Sequence, residues 1–289
     1  EMDNLSHNGL IIPKKDFCFS LFNRGIKYGD SFFDTVRCSN GFPNFWEEHY
    51  YRIASSLLLT KMKTPENFSF DNFRDFIVKI LDSNKLNDVS SRVRITFYRQ
   101  GYGYYLPKNQ STSFIIETEK LKSKKFELNN SGLKVSIYRE NFVSKCQISN
   151  VKTNNRIINV ISSIYADENK LDDVILINSE KNIVETSKGN IFIVSQQGNI
   201  ITPPLEDGCI NGVIRSVLVK SKQFPIIEKS ISFPELINAK EIFLTNVIQG
   251  VNWIGRLNNK IYDDDSSLNR TYTRDKSIEI INYLNSKLI

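Results

Sequence analysis

The sequence predicts an α+β fold. Segments with strand alternation and segments with helical period follow one another irregularly, with no repeating βα unit and no internal repeat. The chain is 40% hydrophobic, 11% aromatic and 24% charged, the balance of a globular protein. Its 289 residues are enough for two domains of ordinary size. A run with four lysines, residues 119–126, separates a small α+β domain (1–118) from a larger one (127–289).

Taken in order, residues 17–22 alternate and are expected to form a strand. Gly25 and Gly29 punctuate a loop, and residues 32–38 read as a strand ending in a turn at Asn40-Gly41. Residues 47–61 have helical period, with Tyr50, Ile53, Ala54, Leu57 and Leu58 on one stripe. His49 and Arg52 lie three apart on that helix and so near one face. An arginine there either pairs with a nearby acid or clamps a phosphate, for which its forked guanidinium is suited. A second helix covers about 70–83, and residues 92–99 alternate as a strand leading into a glycine and tyrosine loop through Pro107. Residues 114–118 and 135–138 complete the first strands.

Lys152 stands between a strand-like run ending near Ile148 and a helix expected to begin at Thr153 or Asn154. Ile157, Ile158, Ile161, Ile164 and Tyr165 carry that helix's period, and Thr153 or Asn154 is its expected cap. A lysine beside a helix start meets a field that disfavours its charged form, as a nucleophilic amine requires; a solvated surface lysine is the plain alternative. Residues 174–178 form a strand, and 183–194 a strand broken at its centre beside Glu185. That carboxylate is either a turn residue or a buried acid aimed at a protonated ring nitrogen. Gly212 opens a helix whose first amides are a ready anion site. Residues 241–254 are an apolar strand interrupted at Thr245-Asn246.

Composition excludes several classes. No apolar run approaches the roughly 18 residues of a membrane span. Residues 1–8 show no basic start before an apolar core, so a cytoplasmic protein is expected. Cys18, Cys38, Cys146 and Cys209 are scattered and, with two histidines, offer no structural metal site. The formal charge of +6 is dispersed, without the basic runs interleaved with aromatics that nucleic acid requires; anionic substrates suit it equally.

Together, Lys152, Glu185 33 residues later (185 − 152), the helical Arg52 and the Gly212-Val-Ile-Arg215 helix start resemble fold-type IV pyridoxal-phosphate enzymes. The resemblance runs from Arg24-Gly25 and Tyr28-Gly-Asp30 through His49-Tyr-Tyr-Arg52 to Thr245-Asn246. That family comprises branched-chain and D-amino-acid aminotransferases and 4-amino-4-deoxychorismate lyases. The resemblance implies a small α+β domain, a larger pseudo-barrel domain and a homodimer binding pyridoxal 5'-phosphate. It implies Lys152 as the Schiff-base lysine, Glu185 as the partner of the pyridine nitrogen and Arg52 as the phosphate arginine. Gly212, Val213, Ile214, Asn246 and Val247 fall where the family supplies its remaining cofactor contacts.

Three features resemble the lyase branch. Ile214 replaces the threonine usual in aminotransferases, so that Asn211-Gly-Val-Ile-Arg215 is similar to the lyase pattern. Lys152-Thr-Asn-Asn-Arg156 and Thr245-Asn246 lean the same way. Ser31 and Asp34 depart from the family at the substrate pocket. The expected activity is release of pyruvate and p-aminobenzoate for folate synthesis, with an aminotransferase, then a non-catalytic cofactor-binding protein, as alternatives. The expected substrate is a small amine carrying carboxylates. Thr35 is the further catalytic candidate, and Tyr28, Arg37, Arg99 and Tyr104 are the candidates for binding substrate.

Overall fold

Alternation in residues 92–99 becomes the middle of an antiparallel sheet. The computed structural model describes residues 3–258 and 270–289; Glu1 and Met2, at the head of the segment read for a signal peptide, lie outside the described residues. Two compact units emerge: residues 1–125, 151–155 and 287–289 form the first, and residues 126–150 and 156–286 the second.

The first unit contains β1 (Asn4–His7), β2 (Leu10–Pro13), α1 (Arg24–Tyr28), β3 (Ser31–Ser39), β4 (Phe42–Pro43), α2 (Trp46–Leu59), α3 (Phe70–Ser83), β5 (Ser91–Arg99) and β6 (Thr112–Lys120). The strands pair antiparallel in the order β2-β1-β6-β5-β3-β4. Phe32, Val36, Val93, Ile95 and Phe97 face α2 and α3 and are buried with Ile53, Leu57, Phe73 and Ile77. α3 starts where the Ser69 hydroxyl accepts the Asn72 N–H. Residues 119 and 120, read as linker, complete β6.

Two expectations differ here. Residues 17–22 form no strand in the structure. Their alternation instead sets Phe17 edge to face with His7 and with Phe19, and Phe19 edge to face with Tyr98. The expected glycine loop holds the short α1, capped by the Asn23 side chain accepting the Ile26 N–H and ended at Gly29 with φ 62°, a left-handed position glycine takes at little cost.

The second unit contains β7 (Leu133–Val143), α4 (Ile157–Glu168), β8 (Asp173–Asn178), β9 (Ile183–Thr186), β10 (Asn190–Val194), β11 (Ile200–Thr202), α5 (Val213–Lys220), β12 (Ile226–Glu228), α6 (Phe233–Ile237), β13 (Glu241–Asn246), β14 (Gly250–Asn258), β15 (Arg270–Thr271) and α7 (Asp275–Ser286). The sheet runs β12-β11-β10-β13-β14-β7-β8-β9, with β15 beside β14. β7 pairs parallel with both β14 and β8. A bridge from Ile183 in β9 to Ile231, three residues past β12, brings the two ends of the path together, as a barrel requires. Its apolar filling includes Val135, Ile175, Ile191, Ile242 and Ile254. Buried Glu241 accepts the Lys276 and Ser277 N–H groups and the Ser277 hydroxyl, pinning the start of α7 to β13.

α4 begins at Ile157, not at Thr153 or Asn154, and its cap residue Arg156 makes no side-chain cap. The reason is non-local. The Asn154 N–H donates to Ser31 O at 3.0 Å and the Phe33 N–H to Lys152 O at 2.9 Å, so this segment extends along β3 instead of entering a helix.

Candidate active site

Lys152 is held by that pairing. Thr153 lies opposite Phe32, which faces the core, so Lys152 is displayed with Phe33 on the other face of β3. Its Nζ lies 4.9 Å from the centre of the Phe33 ring. The Arg94 guanidinium stacks 3.7 Å from the same ring. Arg94 pairs across the ladders with Thr35 and with Glu117, and its Nε donates to Thr96 Oγ1 at 3.2 Å. Thr35, buried, therefore shares a face with Phe33 and Arg94.

On the opposite face of β3, buried Asp34 meets two residues of α2. Its Oδ2 accepts from Arg52 Nε at 2.9 Å, and its Oδ1 from Arg52 Nη2 and His49 Nδ1 at 2.7 Å each. Burial alone would raise the Asp34 carboxyl, but the Arg52 and His49 charges and hydrogen bonds hold it well below the usual carboxylate range. Burial pushes the His49 imidazole below its ordinary value, with Asp34 opposing.

The other substrate candidates, Arg37, Arg99, Tyr104 and Tyr28, make contacts within the first unit. Arg99 donates from Nε to Asp30, from Nη1 to Lys61 O and Gln110 Oε1, and from Nη2 to Thr60 O. Arg37 Nη2 donates to Ser123 O and Lys125 O. The Tyr104 ring is exposed while its carbonyl accepts from Arg24, and Tyr28 packs its ring 5.0 Å from the same guanidinium. Arg94, which the sequence reading passed over, had a signal in its parity. Arg92, Arg94, Thr96 and Tyr98 alternate with the buried Val93, Ile95 and Phe97, and Arg99 falls on the parity of the apolar set.

In the second unit, buried Glu185 lies on β9 and its Oε2 accepts the Ile210 N–H at 2.9 Å. Burial lowers the Arg156 guanidinium's pKa, and the nearby Glu185 charge partly offsets that. Burial pushes the neighbouring Cys209 thiol up to about 12, so it stays protonated. Gly212 caps α5, where a Cβ would overlap the Asn190 side-chain oxygen. Val213 and Ile214 form the first turn, their side chains buried, and first-turn amides have no acceptor within their own helix. Asn190 pairs with Thr245 across β10 and β13, which puts the Thr245 side chain on the same face. Thr245 Oγ1 is buried without a hydrogen-bond partner. Asn246 Oδ1 accepts the Ile248 and Gln249 N–H groups, closing the turn that contains the buried Val247. Among the described residues no cluster of His, Cys, Asp and Glu suits a metal ion, and no helix is long and apolar enough to cross a membrane.

These features match known proteins. The amino-transferase class IV family model covers residues 31–255. The aminodeoxychorismate lyase of Vibrio harveyi is 23% identical over 239 residues, spanning 80% of this chain and 84% of that protein. The D-alanine aminotransferase of Bacillus licheniformis is 23% identical over 246 residues, 83% of each chain. A branched-chain aminotransferase from Thermoproteus uzoniensis, solved with norvaline, shares the fold with a TM-score of 0.84 at 20% identity, covering 99% of this chain and 94% of that one. The chain belongs to the class IV aminotransferase family, enzymes of the fold-type IV α+β architecture that use pyridoxal 5'-phosphate.

Proposed function

We propose that this protein is a pyridoxal-phosphate-dependent 4-amino-4-deoxychorismate lyase. The observation that carries the reading is the pairing of an amine and a guanidinium on one ring: Lys152 Nζ and Arg94 both lie against Phe33. An amine that can bond a carbonyl, next to a fork that can bond a carboxylate, suits a substrate carrying both an amino and a carboxylate group.

The donor set fits the cofactor. Thr245 Oγ1 is a buried hydroxyl without a partner, and the adjoining start of α5 offers backbone amides, together a set suited to phosphate. Arg52 is proposed, from the family resemblance alone, as a phosphate ligand of the cofactor. Gly212, Val213 and Ile214 would contribute backbone alone, because the Ile214 side chain is apolar and buried. Asn246 and Val247 would shape the turn beside Thr245. Glu185 is proposed to face the pyridine nitrogen, held in place by the Ile210 N–H. When bound, the cofactor supplies an electron sink for the carbon that carries the substrate's amino group.

Lys152 Nζ would hold the bound cofactor and would serve as the base that takes the proton from the carbon bearing the substrate's amine. The C–O bond at the neighbouring carbon would then break, the ring becoming aromatic, and the proton taken by Lys152 would return to the departing enolate to give pyruvate. Arg94 binds one substrate carboxylate and Thr35 orients the ring beside it. A second carboxylate has a second arginine available. Arg92 and Arg94 are two residues apart on one face of β5, about 7 Å along the strand. Arg92 meets Glu119 only at 3.9 Å. A homodimer is proposed with this reading, since Leu21, Tyr104, Tyr105 and Leu106 are each more than four-fifths exposed in the first unit.

The second reading, an amino-acid aminotransferase, is favoured by the names of the related aminotransferases and by the fact that Arg94 alone suffices for a single carboxylate. Incubation with aminodeoxychorismate separates the two. Release of p-aminobenzoate and pyruvate supports the lyase. Transfer of an amino group from an amino acid to a keto acid, without that release, means an aminotransferase.

A further inference from the structure

On the face of the first unit's sheet away from α2 and α3, two opposite charges stand side by side without closing on each other. Arg94, Thr96 and Tyr98 of β5 project from that face, opposite the buried Val93, Ile95 and Phe97. Arg94 lies across the ladder from Glu117 on β6, and Thr96 across from Ile115. A cross-strand arginine and glutamate attract one another. Here the Arg94 guanidinium leans towards β3 instead, resting on the Phe33 ring and bonded through Nε to Thr96 Oγ1. Among the described residues, the Glu117 carboxylate takes no hydrogen bond and forms no ion pair. Its charge still reaches Arg94, offsetting part of what burial does to the guanidinium.

Both groups line one cavity of about 310 Å³. Leu5 and Ile115 on the sheet, with Phe17 and Phe19 from the segment before α1, give it apolar walls. It extends to Ser31, whose buried Oγ has no hydrogen-bond partner. Ser31 pairs with Tyr98, four residues along β5 from Arg94 (98 − 94), so the cavity runs about 13 Å along the strands. The departure from the family noted at Ser31 therefore lines this cavity.

We propose that Glu117 is a specificity-determining residue that keeps a second carboxylate out of the cavity beside Arg94. This rests on the reading that Arg94 binds one carboxylate of the substrate. One Arg and one Glu sum to no net charge, so a carboxylate on Arg94 leaves the cavity negative. A further anion there meets Glu117 between apolar walls, where like charges repel more strongly than in water. An uncharged ring meets no such barrier, and a hydroxyl gains Glu117 as an acceptor. The class selected is a carboxylate whose neighbouring substituents are uncharged or donate hydrogen bonds. In a substrate with two carboxylates, the second is left to Arg92.

The test measures dissociation constants by calorimetry on the full chain loaded with pyridoxal 5'-phosphate. The probes are 3-hydroxybenzoate and isophthalate, rings that share one carboxylate and differ in the second group. Neither carries an amine, so neither reacts with the cofactor. Glu117→Gln should shift the ratio of the two constants towards isophthalate at least about tenfold, the removal of one like-charge contact. Glu117→Asp keeps the charge and should leave the ratio near its original value. Arg94→Ala should weaken both probes. If Arg94→Ala weakens both and Glu117→Gln leaves the ratio unchanged, the proposal is overturned and the reading of Arg94 stands. If Arg94→Ala changes neither constant, or the unaltered chain binds neither probe, both fail. Equal gains for the two probes in Glu117→Gln mean that Glu117 repels anions without selecting among them. A shift in Glu117→Asp as large as that in Glu117→Gln means that shape decides and not charge. Either result overturns the proposal.

Discussion

Phe33 and Asp34 are neighbours in the chain and face opposite sides of β3. On the side of Asp34, an arginine meets a buried carboxylate edge to edge, with a histidine closing the cluster. On the side of Phe33, two cationic side chains lie against an aromatic ring. The difference teaches how to divide arginines by purpose. A guanidinium bonded edge to edge by a buried acid is held in one orientation, whereas Arg94 rests on a ring and is bonded through Nε to a neighbouring hydroxyl. Arg99 belongs with the first kind, since Asp30, Gln110 and two carbonyls occupy it.

The largest expected effect comes from emptying the Phe33 side of its amine. Lys152→Ala should cut turnover by at least about three orders of magnitude, the scale of a lost general base, while leaving the circular dichroism spectrum unchanged. On the other side, Asp34→Asn should lower the unfolding free energy by about 3 kcal/mol, as when one partner of a buried pair is removed, measured by denaturant titration. Arg94→Ala should lower kcat/KM for a carboxylate-bearing substrate by about 10- to 100-fold, mostly through KM, and leave unfolding nearly unchanged. Arg99→Ala should do the reverse, costing stability first. Equal effects of the two on KM would erase the distinction between held and receptive arginines.

The smallest effect is a pH dependence. Asp34 and His49 both have folded values below their unfolded ones, so the unfolded chain binds more protons in acid. Their contribution is complete above about pH 6.5, declines as His49 protonates on unfolding, and declines again below about pH 4 with Asp34. The second decline should vanish in Asp34→Asn, as read by unfolding midpoints across pH.

The sequence shows the period of α2, α3 and β5 because each is set by local burial: Ile53 and Leu57, Phe73 and Ile77, Val93 and Ile95 all face one core. It shows the Lys152 and Glu185 pattern through family resemblance. The pairing of residues 152–154 with β3 was not visible, because it joins segments about 120 residues apart and displaces the start of α4 to Ile157. The aromatic packing of residues 17–22 was hidden for a related reason, since alternation shows which side chains share a side but not which distant rings they meet. The parity along β5 that separates Arg94, proposed as a carboxylate ligand, from Arg99 was legible in the sequence.

The most direct measurement treats the protein, loaded with pyridoxal 5'-phosphate, with borohydride and locates the label by peptide mass. The account predicts one labelled site at Lys152, with the cofactor's absorbance band bleached and the label lost in Lys152→Ala. A label on another lysine, or a protein that takes up no cofactor, would contradict it.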